Sequence, residues 1–231
     1  MKYKDIRRQI RESMGLPEEA ATPTIITETF VAQPKQFDLN TDMLSQKTKM
    51  AHKHLYDGYV KCFNEASAEL DGVSKEDTNP NCCAFRDAKL AEQRNMAALY
   101  LHELYFANIA ALTSELPMDS LAYMRMSRDW GNFDSWQEDF IACALSAQSG
   151  WVVCCFNTYL QSYVNIIIDG HDNNVPMGCI PVIVMDMWEH AYFRDYLNNK
   201  KQYLFNMMSQ LNWDVIENRF IRAERIAQVS K

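Results

Sequence analysis

The spacing of hydrophobic positions changes about halfway along the chain. From residue 41 to residue 112, apolar side chains recur every three or four positions, which is typical of amphipathic helices. The pattern predicts one long helix that starts near Thr41, is capped by Asp42 and stops at Asp71-Gly72, and a second over residues 85–112. Because only a modest loop joins them, we expect an antiparallel helical hairpin. The expected buried face of the second helix comprises Leu90, Ala97, Leu101, Leu104, Tyr105 and Ile109.

Beyond Gly131, short runs rich in β-branched and aromatic residues appear between helical patterns. Three such runs predict strands at residues 151–156, 163–168 and 180–185. Helical spacing predicts helices at residues 134–148, 188–197, 201–211 and 213–220. The sequence therefore predicts an α+β fold, in which an N-terminal antiparallel helical hairpin is followed by an α+β half with a three-stranded antiparallel sheet.

This change of pattern divides the chain into four predicted parts. Residues 1–38 form an N-terminal extension with one short helix near its start, since Pro17, Pro23 and Pro34 interrupt longer structure. Residues 39–128 form the helical hairpin domain, residues 129–222 the α+β domain, and residues 223–231 a C-terminal tail.

Composition narrows the classes of function. The net charge of −7 and the lack of a long basic run argue against nucleic acid as a partner. No apolar run approaches the roughly 20 residues that span a bilayer, so we expect no membrane partner. The seven cysteines include two adjacent pairs, one inside an apolar run, which favours reduced thiols and a cytoplasmic location. No C-x-x-C pair is present, which argues against a cysteine zinc site.

An aspartate at the end of the third predicted strand is the first candidate for chemistry. Asp186 follows the apolar run of residues 179–185, and His190 comes four residues later, between Trp188 and Tyr192. A carboxylate in a buried position is costly unless a positive group pairs with it. Carboxylate and imidazole together suit a transition metal. Alone, the D-x-x-x-H spacing more often marks an aspartate that caps a helix and a histidine packed on its apolar face.

The chain has five histidines, which limits how a metal site can be built. His52 and His54 lie on the first predicted helix, His102 on the second, and His190 after the third strand. A single histidine on an apolar helix face is usually a packed core residue. Three separate elements that each bring a histidine to the apolar side, with Asp186 among them, favour one shared metal site.

Several motifs, in order along the chain, resemble those of the iron/manganese superoxide dismutase family. The most specific is D-M-W-E-H-A-Y at residues 186–192, which is similar to that family's D-x-W-E-H-A-[YF] signature. Supporting motifs are L-S-Q-K-T at 44–48, H-E-L-Y-F at 102–106, Q-S-G-W at 148–151, P-M-G at 176–178 and L-N-W-D at 211–214. The resemblance covers most of residues 35–222 and implies that family's fold.

The resemblance implies one iron or manganese ion per subunit, held by three histidines and one aspartate. Carried over motif by motif, these ligands are His52, His102, Asp186 and His190. His54 is the alternative to His52, because the segment from His52 to Tyr59 is one residue shorter than the commonest family spacing.

The resemblance also implies roles around the metal. Tyr59 matches the tyrosine that guards substrate entry and relays protons, while Trp151 and Trp188 match the aromatic walls of the pocket. His171 falls where members without the usual glutamine place a histidine that hydrogen-bonds the metal-bound solvent. The alternative for His171 is a solvated loop residue.

A homodimer is the expected assembly, because Glu189 matches the residue that reaches the ligand histidine of the partner subunit in this family. Members usually also join their subunits by a His–Tyr hydrogen bond. Here Phe193 occupies the tyrosine position, and Leu55 or Tyr56 stands near the histidine position. Because both polar partners are replaced together, an apolar contact can take the place of that bond without a buried unpaired group.

The implied activity is superoxide dismutation, an oxidoreductase reaction that converts superoxide, a small anion, to oxygen and hydrogen peroxide. The alternative is a dismutase-like scaffold with weak or no turnover and a structural or interaction role. The extra N-terminal segment, the shortened spacing after His52 and the lost interface pair support that alternative. The complete set of four ligands supports the enzyme.

Overall fold

The computed structural model describes residues 3–16, 30–76, 78–109 and 114–229. Within these ranges, the helices and strands follow one another in the order α1 (Tyr3–Ser13), α2 (Gln46–Gly72), α3 (Ala84–Ile109), α4 (Leu121–Trp130), α5 (Phe133–Ser146), β1 (Gly150–Asn157), β2 (Ser162–Asp169), β3 (Cys179–Asp186), α6 (Glu189–Tyr196), α7 (Lys200–Met208) and α8 (Trp213–Val229). The predicted α+β fold, with a helical first part and a three-stranded antiparallel sheet in the second, is confirmed.

The first hairpin helix begins later than its sequence pattern predicts. Helix α2 starts at Gln46, and Ser45 caps it by accepting the backbone N–H of Thr48 at 3.3 Å, so the prediction of Asp42 as cap was wrong. The carboxylate of Asp195 accepts the backbone N–H of Ser45 at 2.8 Å. Since this contact comes from a residue 150 positions away, no local pattern could favour Ser45 over Asp42.

Helix α3 completes the hairpin and packs extensively against α2. Its predicted last residues, 110–112, lie outside the described residues. Leu101, Tyr105 and Ile109 are buried as expected. Leu90 is 44% exposed, so its place on the buried face was wrong. It lies in the part of α3 near the inter-helix loop, where a leucine at helical spacing faces solvent rather than the core.

The sheet has the order β2-β1-β3, with both neighbours antiparallel to β1. Every residue of β1 is buried, which explains its continuous apolar run, since a central strand covered on both faces needs no polar alternation. The strand begins at Gly150, where a Cβ atom would stand 1.9 Å from the carbonyl oxygen of Ile168. The register then places Trp151 opposite Asp186 at the end of β3.

Helix α4 was not predicted. Ser120 caps it by accepting the backbone N–H of Tyr123 at 3.2 Å, and it ends at Gly131, whose φ of 87° suits glycine. Its buried residues are Ala122 and Met126, too few to form a clear periodic stripe. Because α4 contacts α5, α8 and β2, it packs with the second half of the molecule. The predicted boundary between residues 128 and 129 falls inside this helix.

Helix α8 continues to Val229, through residues that were expected to form a tail, so its predicted end at Phe220 was wrong. Ala223 and Ala227 are buried, and Arg125 of α4 donates two hydrogen bonds to Glu224 at 2.7 and 3.1 Å. Small alanines give a weak hydrophobic signal, so the apolar pattern ends before the helix does. Among the described residues, no helix has the length and apolar character needed to cross a membrane.

One continuous hydrophobic core joins the hairpin to the sheet and its flanking helices. Tyr105 and Phe106 of α3 are fully buried in it, as are Trp151 of β1 and Tyr203 of α7. Helices α2 and α3 also contact α6 and β3, respectively. The hairpin and the sheet are therefore packed as one body, and side chains from both meet where β3 ends.

Candidate metal centre

Four side chains from four elements converge at the end of β3. His52 comes from α2, His102 from α3, Asp186 from the last position of β3, and His190 from the first turn of α6. One potential ligand atom from each lies within 4.8 Å of the others. The set joins residues up to 138 positions apart (190 − 52). The four predicted ligands are therefore brought together.

The carboxylate of Asp186 is the centre of this cluster. Its Oδ2 lies 3.1 Å from Nε2 of His52, 3.1 Å from Nε2 of His190 and 3.8 Å from Nε2 of His102. Its Oδ1 accepts the backbone N–H of Trp188 at 2.9 Å, which holds the turn between β3 and α6. This turn explains the D-x-x-x-H spacing, because it directs the carboxylate and the imidazole of the next helical turn to one point.

His102 carries a buried nitrogen that has no hydrogen-bond partner. Its Nδ1–H donates to the carbonyl oxygen of Ala98 at 2.7 Å, since that oxygen can only accept. Nε2 of the neutral ring is then an acceptor, and it faces the Asp186 carboxylate, which is also an acceptor. This atom is fully buried and unpaired. An orphaned lone pair of this kind costs about 1–3 kcal/mol, and a bound cation removes the cost.

The protonation states suit metal binding. Burial lowers the pKa of His102 to about 3, and burial also lowers the pKa of His52. Burial raises the pKa of Asp186, but His190 and His52 lower it by more, so it stays below the usual range. At neutral pH the two histidines are neutral and the aspartate is ionised, the forms that a metal ion requires. An N₃O donor set with these properties fits iron or manganese.

Two buried tyrosines support the aspartate, and neither was predicted as a site residue. The hydroxyl of Tyr203 donates to the backbone carbonyl oxygen of Asp186 at 2.8 Å, and it lies 3.1 Å from the hydroxyl of Tyr105. Both rings are fully buried, and burial raises the pKa of both hydroxyls. They therefore remain protonated and fix the backbone at the ligand. Tyr105 belongs to the H-E-L-Y-F motif at residues 102–106, whereas Tyr203 belongs to none of the motifs.

A second group of side chains surrounds the cluster. His171 is 1% exposed and uses both ring nitrogens, so the alternative of a solvated loop histidine is wrong. The indole N–H of Trp151 donates to its Nδ1 at 3.1 Å, and its Nε2 lies 2.9 Å from the hydroxyl of Tyr59. Because an indole N–H only donates, Nδ1 is the acceptor and the neutral ring carries its proton on Nε2. That proton is donated to Tyr59, which leaves the phenolic O–H free for another acceptor.

Aromatic rings enclose the histidines. Trp188 stacks against His171 and His190, with ring centroids 5.2 and 5.8 Å apart, and its indole N–H donates to the carbonyl of Gly170 at 3.2 Å. The ring of Trp151 packs edge-on against His102 at 4.9 Å. Tyr59 lies 5.2 Å from His102. These rings surround the ligands with low-dielectric material and strengthen the charge interactions among them.

The remaining predicted site residues lie outside this cluster. His54 is exposed, since two residues after His52 the helix has turned to its opposite side, so His54 is not the fourth donor. Tyr56 is 1% exposed, and its hydroxyl donates to Glu103 at 3.0 Å within the same subunit. Leu55 is half-buried. Glu189 and Phe193 are exposed on α6.

The fold and site together define a class of protein: a mononuclear metal protein whose ion is bound by three imidazoles and one carboxylate between a helical hairpin and an antiparallel sheet. Comparison with known proteins gives the family. Residues 119–219 match the model of the C-terminal domain of iron/manganese superoxide dismutases. The chain belongs to the iron/manganese superoxide dismutase family.

Named relatives include proteins of both metal types. A superoxide dismutase [Fe] of Aquifex aeolicus is 30% identical over 179 residues, which cover 76% of this chain and 83% of the relative. Superoxide dismutase [Mn] 1 of Halobacterium salinarum is 27% identical over 192 residues, covering 82% of this chain and 93% of the relative. A superoxide dismutase [Mn] of Mycolicibacterium fortuitum is 28% identical over 191 residues, covering 80% and 88%. Sequence identity to these relatives therefore does not show whether this chain uses iron or manganese.

Proposed function

We propose that this protein is a superoxide dismutase, which converts superoxide to oxygen and hydrogen peroxide with one iron or manganese ion per subunit. The proposed ligands are His52, His102, Asp186 and His190. The observation that carries the proposal is the buried, unpaired Nε2 of His102 within a cluster of four donors. A core histidine that was only structural would have found a partner.

Different residues of the site have different roles in this reaction. When bound, the metal supplies one-electron oxidation and reduction, so that two superoxide anions and two protons give one oxygen and one hydrogen peroxide. The four ligands hold the ion, and Trp151 and Trp188 keep bulk water from the histidines. Because superoxide is a small anion, the positive charge of the loaded site attracts it at short range despite the net charge of −7.

We assign proton delivery to Tyr59, positioned by His171. The His171 Nε2–H donates to the phenolic oxygen, so the phenol can direct its own O–H toward a substrate oxygen. Burial raises the pKa of Tyr59, and the charge of Asp186 raises it further. The phenol is therefore protonated at neutral pH and available as a donor. His171 acts through Tyr59 rather than on the substrate itself.

Replacing Tyr59 by phenylalanine should lower turnover about 100-fold while leaving metal content unchanged. The ring that packs on His102 stays, whereas the O–H donor is lost. Pulse-radiolysis or stopped-flow turnover, paired with metal analysis, checks this. Tyr159→Phe is the matched control, because Tyr159 is 89% exposed and should keep full turnover. Full activity in the Tyr59→Phe protein would remove Tyr59 from proton delivery.

Metal content and turnover of the purified protein test the proposed function directly. Metal-free protein would be loaded separately with iron and with manganese, and each form assayed for superoxide consumption and peroxide formation. One ion per subunit with turnover well above that of the free metal supports the enzyme. One bound ion without turnover in either form would instead support the dismutase-like scaffold.

We further propose that two subunits associate through α6. The side chain of His190 is 26% exposed, and the described hydrogen bonds engage its Nε2 and leave its Nδ1 unpaired. Metal-bound histidines usually donate their second N–H to a carboxylate or carbonyl. Glu189 is exposed beside His190, and Phe193, 50% exposed, lies on the same helix. A second copy can therefore supply the missing carboxylate, with Phe193 and Leu55 as apolar contacts. Tyr56 is not among the proposed interface residues, because it is buried within its own subunit.

The Glu189→Ala variant should weaken the dimer and lower metal retention together. Loss of the carboxylate leaves an imidazole N–H without its acceptor, which costs about 1–3 kcal/mol and reduces metal affinity roughly 10- to 100-fold. Equilibrium sedimentation and metal analysis of the same sample measure both effects. Glu138→Ala, an exposed glutamate of α5, should change neither. A wild-type protein that is monomeric and fully active would contradict the proposal.

A further inference from the structure

Helices α2 and α3 are joined beside the metal ligands by the side chain of Glu103. The hydroxyl of Tyr56 on α2 donates to Oε1 of this carboxylate at 3.0 Å, and Nζ of Lys35 donates to Oε2. The backbone N–H of Lys35 donates to the Tyr56 hydroxyl at 3.1 Å. Each of the three residues is therefore bonded to the other two. We call this closed set of Lys35, Tyr56 and Glu103 the hairpin bridge.

Most of the hairpin bridge is shielded from water. Tyr56 is 1% exposed and the side chain of Glu103 is 14% exposed, whereas that of Lys35 is 61% exposed. Burial raises the pKa of Tyr56 to about 12, so the phenol keeps its proton and remains the donor. A sheltered hydrogen bond to a carboxylate contributes more than an exposed ion pair, and loss of one partner leaves the other unsatisfied. The bond between Tyr56 and Glu103 is therefore the strong part of the bridge.

The hairpin bridge lies directly beside two of the four ligands. Tyr56 follows His52 by four positions, so both side chains lie on the same face of α2. Glu103 follows His102 on α3, and the rings of Tyr56 and His102 are 6.4 Å apart between centroids. A change in the spacing of α2 and α3 at this level would move one ligand imidazole relative to the other.

Packing extends from the hairpin bridge to His52. The ring of Phe37, two residues after Lys35, lies 6.5 Å from that of Tyr56 and 5.6 Å from that of Phe106. Phe106 in turn packs edge-on against His52 at 4.9 Å. The segment that supplies Lys35 therefore also supports the ring that packs against this histidine.

A second hydrogen bond between the same two helices lies far from the ligands. Oγ of Ser67 on α2 donates to Oε1 of Glu92 on α3 at 3.2 Å. Ser67 is three helical turns beyond Tyr56, which corresponds to roughly 16 Å along the helix axis. This bond ties α2 to α3 without lying near the metal centre, so its removal separates a general loosening of the hairpin from an effect at the ligands.

We propose that Glu103 is a positioning residue of the metal centre. Through the hairpin bridge it fixes the separation of α2 and α3 where His52 and His102 enter the site, and it thereby sets how tightly the ion is retained. Both imidazoles have to reach one ion, so a displacement of either helix weakens metal binding. Glu103 itself is not one of the four donors. The inference rests on the ligand set of the proposed function but not on turnover.

Release of manganese into excess EDTA tests this role without an assay of turnover. Full-length wild-type protein and variants, each loaded with manganese, would be diluted into the chelator, and protein-bound metal followed over time. Glu103→Ala should release the ion about tenfold faster, since loss of a group that supports a ligand typically costs 10- to 100-fold in metal affinity. Glu103→Gln keeps an oxygen that can accept the Tyr56 hydroxyl, so it should restore most of the retention.

A double-mutant cycle adds a test of the bond itself. Tyr56→Phe should accelerate release about as much as Glu103→Ala, and the double variant should be no faster than either, because all three lose the same bond. Tyr56→Phe also keeps the packing of the ring, so it decides the matter even if Glu103→Ala does not fold. Glu92→Ala is the matched control, which breaks the distant bond and should change the release rate less than twofold.

The outcomes for wild-type protein and variants are distinct. A wild-type protein that binds no manganese or iron would overturn the ligand set, and the proposed function with it. A wild-type protein that retains the metal while Tyr56→Phe and Glu103→Ala release it at the wild-type rate would overturn the role of Glu103 alone. Equal acceleration by Glu92→Ala would likewise show that the hairpin bridge only stabilises the hairpin.

Discussion

Replacing His190 by alanine is expected to give a folded protein that retains less than a tenth of the wild-type metal and has no measurable turnover. The imidazole is one of four donors, and its Nε2 lies 3.1 Å from the Asp186 carboxylate at the centre of the cluster. Even the loss of a group that only orients a ligand typically costs 10- to 100-fold in metal affinity, so loss of a ligand should cost more. Metal analysis after dialysis and a superoxide assay measure both losses.

The fold should survive this change. The side chain of His190 is 26% exposed and lies on a short helix, so its removal leaves a cavity that solvent can reach. Circular dichroism should therefore match the wild-type protein. His54→Ala is the control, because His54 is an exposed histidine two residues from a proposed ligand and should keep metal and turnover. A His190→Ala protein that retained stoichiometric metal would show that the ligand assignment is wrong.

The strands and the long helices could be predicted because their signals are local. Strand β1 is buried throughout and apolar at nearly every position. Its pairing with β3 places Trp151 opposite the carboxylate-bearing Asp186. The metal cluster is different, since the contact between His52 and Asp186 spans 134 positions and no periodicity reveals it. It became predictable only through D-M-W-E-H-A-Y and the other motifs of the family.

Features without a motif or a strong periodic stripe were missed. Tyr203 looks like any core aromatic residue in the sequence, yet its hydroxyl fixes the backbone of Asp186. The role of His171 also depends on contacts that spacing does not show, because Trp151 and Tyr59 occupy its two nitrogens. Helix α2 is capped by Ser45 instead of the predicted Asp42, and the backbone of Ser45 is held by Asp195, far along the chain. In each case a long-range hydrogen bond decided between locally equivalent options.

The most important of the unpredicted contacts is made by the half-buried guanidinium of Arg219, which joins three elements. Arg219 of α8 donates to the carbonyl of Val182 in β3 at 3.2 Å and to the carbonyl of Leu104 in α3 at 2.9 Å. It also donates to the side chain of Asn108, whose amide in turn donates to the carbonyl of Val184 at 2.7 Å. Burial lowers the pKa of Arg219 to about 10, so it is still charged at neutral pH. The hairpin, the sheet and the last helix are therefore joined at one side chain.

Replacing Arg219 by methionine should lower the free energy of unfolding by about 2–4 kcal/mol. A methionine side chain occupies part of the same space but has no hydrogen-bond donor. The carbonyl oxygens of Leu104 and Val182 and the side-chain oxygen of Asn108 therefore lose their charged donor. For a chain of this size, that corresponds to a fall in melting temperature of roughly 5–15 °C. Urea unfolding of the metal-free proteins measures the difference without the contribution of bound metal.

Arg222→Met provides the control for this prediction. Arg222 lies one turn further along α8 and is exposed, so the same substitution there removes a charge without leaving buried acceptors unpaired. The free energy of unfolding of the Arg222→Met protein should stay within about 0.5 kcal/mol of the wild-type value. If Arg219→Met and Arg222→Met unfold at the same urea concentration, the guanidinium does not join the hairpin to the sheet. A large loss confined to Arg219→Met would show that a residue outside every family motif holds together the two halves that share the metal.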